Sequence, residues 1–481
     1  MFKFKKALFS LVIILFYSVN SIAAEDLPNL PLEEYLSQVK NQNLSYLAAE
    51  QNSQAYELLK KKAKLVTGVI LTAGTQSGFA EQNQALQIFR YNETYTQSNQ
   101  VGLSQTSTFG INTQLSYTLN HITYKGLNTS AAPNPSLAAS NYQAIPKIAV
   151  TIPLWQNLLG SATQASQDSV YFSNESQKLS AKSVSLQSLV AAEKAYWMLV
   201  YTRCAAKIQE TALKSAEQIL TYVSKREKMN LGEKADVLQA KALFESKKLA
   251  LKQAENDRNI AARNFNRYRY IDSVEVSENL GDFDLAKLQN FLVPKIKAEN
   301  RYDVKAQEAS MKAAVAAAKL DEENNKPSLN LYGSYSVNQV QSGNNQAINN
   351  SFAQVGRVGM VGLNFSTPIN FFNTSDIRKG DRETASAAKT NYRQKILDQE
   401  NDWQNLVQNL AIYKENLKLA QSIEAVQKAK LENERYRLKQ GRTSTYQVLL
   451  FEQDYSNSQL TTIQIADKML EAVADQKLYQ P

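Results

Sequence analysis

The stretch from Ser375 to Gln440 limits what this chain can become. Trp403, Leu406, Leu410, Tyr413, Leu417 and Ala420 recur at alternating spacings of three and four. That is a heptad seam, the pattern of a helix packed lengthwise on other helices. A straight helix over those 66 residues is roughly 100 Å long, more than a globular domain can house. Gly441 ends the run and supplies a left-handed residue at a helix C-terminus. Arg435, Arg437 and Lys439 suit the negative end of the helix dipole. Thr443, Ser444 and Thr445 are placed to cap a second helix running back along the first.

Only 16 Gly and 10 Pro interrupt 481 residues, so long elements are expected throughout. The net charge of +9 is spread along helices with acids interleaved, which fits a solvated surface, and no nucleic-acid module is visible. The single cysteine, Cys204, rules out an intramolecular disulfide and reads as a small buried residue. His121 has no Cys or carboxylate cluster near it in sequence, and no Gly-rich phosphate loop is present. No catalytic group, metal site or cofactor is therefore expected.

At the N-terminus Lys3, Lys5 and Lys6 precede an apolar run, Ala7 to Val19, and small residues at Ser21 to Ala24. This reads as a secretory signal peptide over residues 1–24, too short to span a membrane. No later run is apolar and long enough to cross a bilayer as a helix, but a closed barrel remains open to such a chain. Leu30 to Lys64 is helical and ends in Lys60-Lys61-Lys62-Ala63-Lys64, either a solvated last turn or a contact for anionic head groups.

Strand patterns follow. Gly68 to Gly78, Val101 to Thr108, Ile111 to Thr123 and Pro146 to Pro153 alternate apolar with polar residues, and Phe109-Gly110 turns the middle pair. Such alternation fits strands with lipid outside and water inside, and it equally fits soluble, half-buried strands. Pro153 stops the ladder, and Trp155 beyond it suits a membrane interface or a core. A helix to about Asn230, a break at Gly232 and a helix from Lys234 to Tyr268 complete the first half. After an aperiodic boundary the order repeats, with strands at Pro327 to Val340 and Val355 to Thr367, Pro368, and the hairpin at Gly441. The first repeat is thus residues 25–270, the linker 271–295 and the second repeat 296–481.

Several short motifs occur in this order: Glu193-Lys194-Ala195-Tyr196-Trp197, Gly232 with Asp236-Val237-Leu238, Arg301-Tyr302-Asp303-Val304, Pro327-Ser328-Leu329, Thr367-Pro368, and Arg435 to Gly441. In that order the chain resembles the TolC family of outer-membrane efflux ducts. The resemblance implies a mixed, mostly helical fold: a trimeric membrane β-barrel continued by a periplasmic α-helical barrel. It implies a homotrimer in outer-membrane lipid that works with a periplasmic adaptor (membrane fusion) protein and an inner-membrane pump of RND, ABC or MFS type. The function implied is a passive exit duct for efflux or type I secretion, in the outer membrane of a Gram-negative bacterium. The competing reading is a periplasmic coiled-coil adaptor or scaffold.

By the same resemblance, Leu231, Gly232, Gln440 and Gly441 form the periplasmic tips that meet the adaptor. Asp236, Gln447 and Leu450 stand at the pore constriction, and Pro153 and Pro368 mark strand-to-helix junctions. Some members carry acids where this chain has Gln447 and Leu450, so a weak cation preference is expected here. About four membrane strands per protomer are expected. The hairpin 101–123 would either widen the barrel to about eighteen strands or project as an external cap.

Overall fold

A computed structural model describes residues 28–81, 91, 93–126, 140–353 and 355–480. The expected signal segment lies outside them. Three short helices open the chain: α1 (Leu32–Gln42), α2 (Leu44–Leu59) and α3 (Lys62–Leu65). The break between the first two falls at Asn43, whose side chain caps α2 by accepting from the Tyr46 N–H at 2.9 Å. Strand β1 (Asn29–Leu30) precedes them, and four long strands follow: β2 (Ile70–Glu81), β3 (Glu93–Thr106), β4 (Asn112–Lys125) and β5 (Ser140–Pro153). Then come α4 (Ser161–Lys228), α5 (Lys234–Tyr268), the two-residue β6 (Asn279–Leu280) and α6 (Leu285–Gln289). The second half holds α7 (Tyr302–Asn324), β7 (Ser328–Val337), β8 (Gln339–Gln341), α8 (Asn344–Asn349), β9 (Arg357–Ser366), α9 (Phe371–Lys439) and α10 (Thr445–Gln476).

The two longest helices, α4 with 68 residues and α9 with 69, are each about 100 Å long. In the upper layer α2 packs on α4, α4 on α7 and α7 on α9; in the lower, α5 packs on α4, α4 on α10 and α10 on α9. The heptad seam of α9 does what its spacing predicts. Trp403, Leu406, Leu410 and Leu417 are buried against Ala466, Met469 and Ala472 of α10. The midsection is tied by Tyr196 of α4, buried against Tyr35 and Phe265. Its hydroxyl donates to the Leu30 carbonyl at 3.0 Å and accepts from the Gly281 N–H at 2.8 Å, on either side of the parallel β1–β6 pair. Lys477 meets the buried Glu193 at 2.6 Å, and Arg301 bridges Asp303 and Asp402. Two of the sequence motifs are therefore girdle contacts that hold the chain termini to the helices. Cys204 is half-buried beside that girdle cluster.

The sheet is larger than the four strands expected. Its order is β2-β3-β4-β5-β7-β9, with β8 also on β5, and every pairing is antiparallel. The hairpin 101–123 belongs to its wall, as the longer pair β3–β4. β5 begins at Ser140, six residues before the expected Pro146. Pro146 sits inside it and leaves a mark: β7 and β8 keep one register on β5 (Lys147 opposite Ser336, Tyr142 opposite Gln341) and are interrupted opposite Ile145 and Pro146, where the ring supplies no N–H. The short helix α8 lies between β8 and β9, with its Ala347 fully buried.

Candidate functional site: the two helical tips and the strand-to-helix junction

The tips are two copies of one turn. α4 ends at Lys228 and α9 at Lys439; Asn230 and Gly441 then take left-handed backbone, at φ 56° and 70°. In the first tip the Leu231 N–H donates to the Arg226 carbonyl at 2.8 Å, and that of Asn230 to Glu227 at 2.9 Å. In the second, Arg442 donates to Arg437 at 2.9 Å and Gly441 to Leu438 at 3.0 Å. Both are Schellman closures, which satisfy the last carbonyls of the helix. Each is braced alike: the Arg226 guanidinium donates to the Leu231 carbonyl at 2.9 Å, the Arg437 guanidinium to that of Arg442 at 3.3 Å.

This geometry corrects one pairing. Pairing Gly232 with Gly441, the two glycines at the helix breaks, would make the first turn two residues shorter. The residue equivalent to Gly441 is Asn230, the turns have equal length, and one offset of 211 residues carries Arg226 to Arg437 and Asp236 to Gln447. Asn tolerates the left-handed region because its short side chain bonds locally, so a glycine is not required there. Gly232 itself is exposed and has no positive φ.

Leu231 (63% exposed), Gln440 and Gly441 are exposed at the turns, and Leu450 is exposed on α10. Asp236 and Gln447, each third in its helix, are half-buried. Ser444 caps α10 by accepting from the Gln447 N–H at 3.4 Å; Glu233, at the equivalent place, offers α5 no side-chain cap. One apolar cluster brings the tips together: Ile219 and Val223 of α4, Ala240 and Val237 of α5, Leu431 and Leu438 of α9, Val448 and Leu449 of α10.

Above it lies a polar node built around Arg435. Arg435 of α9 donates to buried Glu452 of α10 at 2.8 Å and to Ser215 of α4 at 3.0 Å. Lys247 of α5 is buried near it; burial lowers its pKa and the Glu452 charge opposes that. Glu434, also buried, accepts from Thr443 and pairs with Arg437 at 3.1 Å. The two helical hairpins thus meet through Arg435 and Ser215, with the charged groups of Glu452 and Lys247 buried beside that contact. The signal available in sequence was the four-residue spacing of Arg226 and Arg437 before Asn230 and Gly441.

At the other end, Pro153 closes β5 opposite Asn330, and the Leu154 N–H donates to the Leu329 carbonyl at 2.7 Å. Pro368 is exposed, two residues beyond β9. Trp155 is half exposed, at 49%. Asn157, Leu159 and Gly160 follow, all with left-handed backbone. Asn157 supports the bend by accepting from the Thr163 N–H at 2.9 Å. The β3–β4 turn nests in this bend so closely that a Cβ on Gly160 would lie 1.8 Å from the Thr108 carbonyl oxygen. His121 stacks on Tyr142 and bonds Ser140 at 2.9 Å. Of the basic run, Lys60 is spent on Glu57 and Glu175, at 2.7 and 2.8 Å.

The strands have two unlike faces. One carries Leu71, Leu103, Leu115, Ile148 and Tyr335 in one cross-strand row, with Leu331, Leu363 and Phe365 beside it. The other carries mainly Thr, Ser, Asn and Gln, with Ile122, Ile145, Tyr332, Val358 and Met360 among them, and Lys147 is its one charged residue among the described strands. No described helix is long and apolar enough to cross a membrane. Residues 293–479 match the family model described as outer membrane efflux protein. Over that part the chain is similar to the outer membrane efflux protein family.

The family model covers most of the second half, and solved structures extend the fold over the rest. The outer-membrane channel OprN is similar over 94% of this chain and 91% of its own, at 15% identity and a TM-score of 0.64. VceC of Vibrio cholerae is similar over 93% of this chain and 95% of its own, at 13% identity and 0.61. The Neisseria gonorrhoeae MtrE channel, solved in an open state, is similar over 96% and 93%, at 17% identity and 0.61. No curated protein matches the chain in sequence. The chain has the mostly helical fold of these channels, sheet at one end and long helices at the other.

Proposed function

We propose that three copies of this chain form the outer-membrane exit duct of a tripartite efflux pump or a type I secretion system. The duct conducts substrates passively from the periplasm and its pump to the exterior. The observation that carries this reading is one continuous layer: a sheet apolar on one face and polar on the other runs directly into helices 100 Å long. A coiled-coil adaptor or scaffold would share the helical hairpins but has no use for that sheet.

In this reading the two repeats, 25–270 and 296–481, each supply a wedge of the wall, with 271–295 as an equatorial linker. Leu231, Gly232, Gln440 and Gly441 meet a periplasmic adaptor, and the adaptor couples the duct to an inner-membrane pump of RND, ABC or MFS type. Asp236, Gln447 and Leu450 line the narrowest ring. Pro153 and Pro368 mark where wall strands become helices, and Trp155 sits at the inner lipid interface. The polar node at Arg435 and Glu452 fastens the inner hairpin to the outer one.

Purified protein is expected to conduct ions across a planar lipid bilayer, and a deletion strain to lose export of at least one substrate. Recovery of the mature protein in the soluble periplasm, without detergent, would overturn the duct.

A further inference from the structure

We infer that the β3–β4 hairpin is membrane wall, so that three copies close an eighteen-stranded barrel as wide as the helical tube beneath it. The inference rests on the duct reading and adds to it the width of the exit and the kind of cargo it admits.

Three observations carry it. First, β3 and β4 are bonded along their whole length, to each other and to β2 and β5. Their apolar residues Leu103 and Leu115 share a row with Leu71 and Ile148. A projecting cap would not keep that row in register with the wall. Second, the hairpin's turn is fixed at the lower rim, where Thr108 and Gly110 pack on Asn157 and Gly160. The hairpin therefore starts at the level where β5 passes into α4, and rises from there. Charged residues on the apolar face stand only at strand ends, at Glu81, Glu93, Lys125 and Arg357.

Third, the circumferences agree. Below the sheet each protomer presents α2, α4, α7 and α9 side by side. Twelve helices at 8–10 Å spacing make a ring of about 100–120 Å. Eighteen strands, about 4.8 Å apart and tilted by about 40°, span about 110 Å, whereas twelve span about 75 Å. The extra hairpin removes the taper that twelve strands would impose. β2 and β9 remain bare edges of the sheet, which lipid does not tolerate, and a second copy of this chain is the occupant that covers both. The resulting lumen, walled by hydroxyl and amide side chains, suits bulky hydrated polymers, polypeptide above all.

The test uses full-length protein with Cys204→Ser and one new cysteine at a time, reconstituted in vesicles. Probes on Leu103→Cys and Leu115→Cys are expected to be quenched by nitroxide-labelled lipid as strongly as probes on the reference sites Ile148→Cys and Leu363→Cys. Ser104→Cys and Ser116→Cys are expected to escape quenching and to react with a membrane-impermeant maleimide. Quenching at the reference sites but not at Leu103 and Leu115 would overturn this inference and leave the duct standing. Quenching at none of them would remove the duct reading itself. Closure is checked with Gly74→Cys on β2 combined with Gly362→Cys on β9: a short bismaleimide is expected to give a covalent trimer on a denaturing gel, and only monomer would overturn the eighteen-strand count.

Discussion

Two glycines in this protein do different work, and substitution separates them. Gly441 has φ +70° with nothing within 4 Å of an added Cβ. Its cost on replacement is backbone strain alone, about 1–2 kcal/mol for Gly441→Val. Gly441→Asn is expected to cost less, because Asn230 already holds that conformation in the twin turn. Thermal unfolding of the purified protein should rank wild type, Asn and Val in that order, with adaptor-dependent export following. Gly160 combines φ +79° with a backbone oxygen in the way. Gly160→Ala forces the β3–β4 turn out of its nest and is expected to cost at least about 3 kcal/mol. Loss of the folded oligomer on a semi-native gel is the readout; a normal oligomer yield would contradict the packing described at the lower rim.

Between elements, the telling contacts are those of buried charged groups. Arg435 is the cation bonded to the buried Glu452 carboxylate and also reaches α4. Arg435→Ala leaves that carboxylate buried beside Lys247 alone, a cost of about 2 kcal/mol once the partial exposure of the arginine is discounted. The expected sign is higher bilayer conductance, with the Glu452→Gln, Arg435→Ala double variant less unstable than the single. Asp467 of α10 is a different case. It is 1% exposed, and its Oδ1 has no hydrogen-bond partner. Tyr201 of α4 faces it, and Lys468 and Glu471 flank it on its own helix. Burial, with Glu471 adding to it and Lys468 opposing, pushes its pKa up to about 7. A carboxyl raised in the folded state makes stability fall as pH rises from about 4 to about 7, and level off above. Asp467→Asn should abolish that slope and stabilise the protein at pH 8 by on the order of 3 kcal/mol. Equal unfolding midpoints for both proteins at pH 5 and pH 8 would contradict it.

These contacts also mark where sequence stops being legible. The α9 seam, the hairpins and the strands announce themselves because burial imposes a period on neighbouring residues. Pro153 and Gly441 announce themselves because only their chemistry fits a missing N–H or a positive φ. Asn230 is hard to read as the turn residue because Gly232, two residues on, is the more familiar breaker. The place of β3 and β4 within the sheet is not legible because alternation gives a strand its faces but not its neighbours. Arg435, Glu452 and Lys247 come from three helices, and no local pattern joins them.

For the whole molecule, the wide end and the narrow end should govern different properties. Lys147 is the one charge on the polar face among the described strands, and three such residues around a lumen tens of ångströms across lie beyond a screening length of about 8 Å. Ion preference should therefore be set at the tips, where Asp236 is the acid that Gln447 lacks. Single-channel recordings are expected to show a weak cation preference that Asp236→Asn removes and Lys147→Ala leaves alone. Strong selectivity sensitive to Lys147 would place the filter in the barrel instead.

The offset of 211 residues between the two turns has a last consequence, one of symmetry. Four long strands come from the first half of the chain and two from the second, so the barrel of the proposed trimer would repeat only every 120°. Its tips come from turns of equal length and equal backbone closure, so their backbone shape would repeat about every 60°. Their charge would not, since Asp236 would alternate with Gln447 around the proposed ring. A partner that reads backbone shape can settle in six registers; one that reads charge is confined to three.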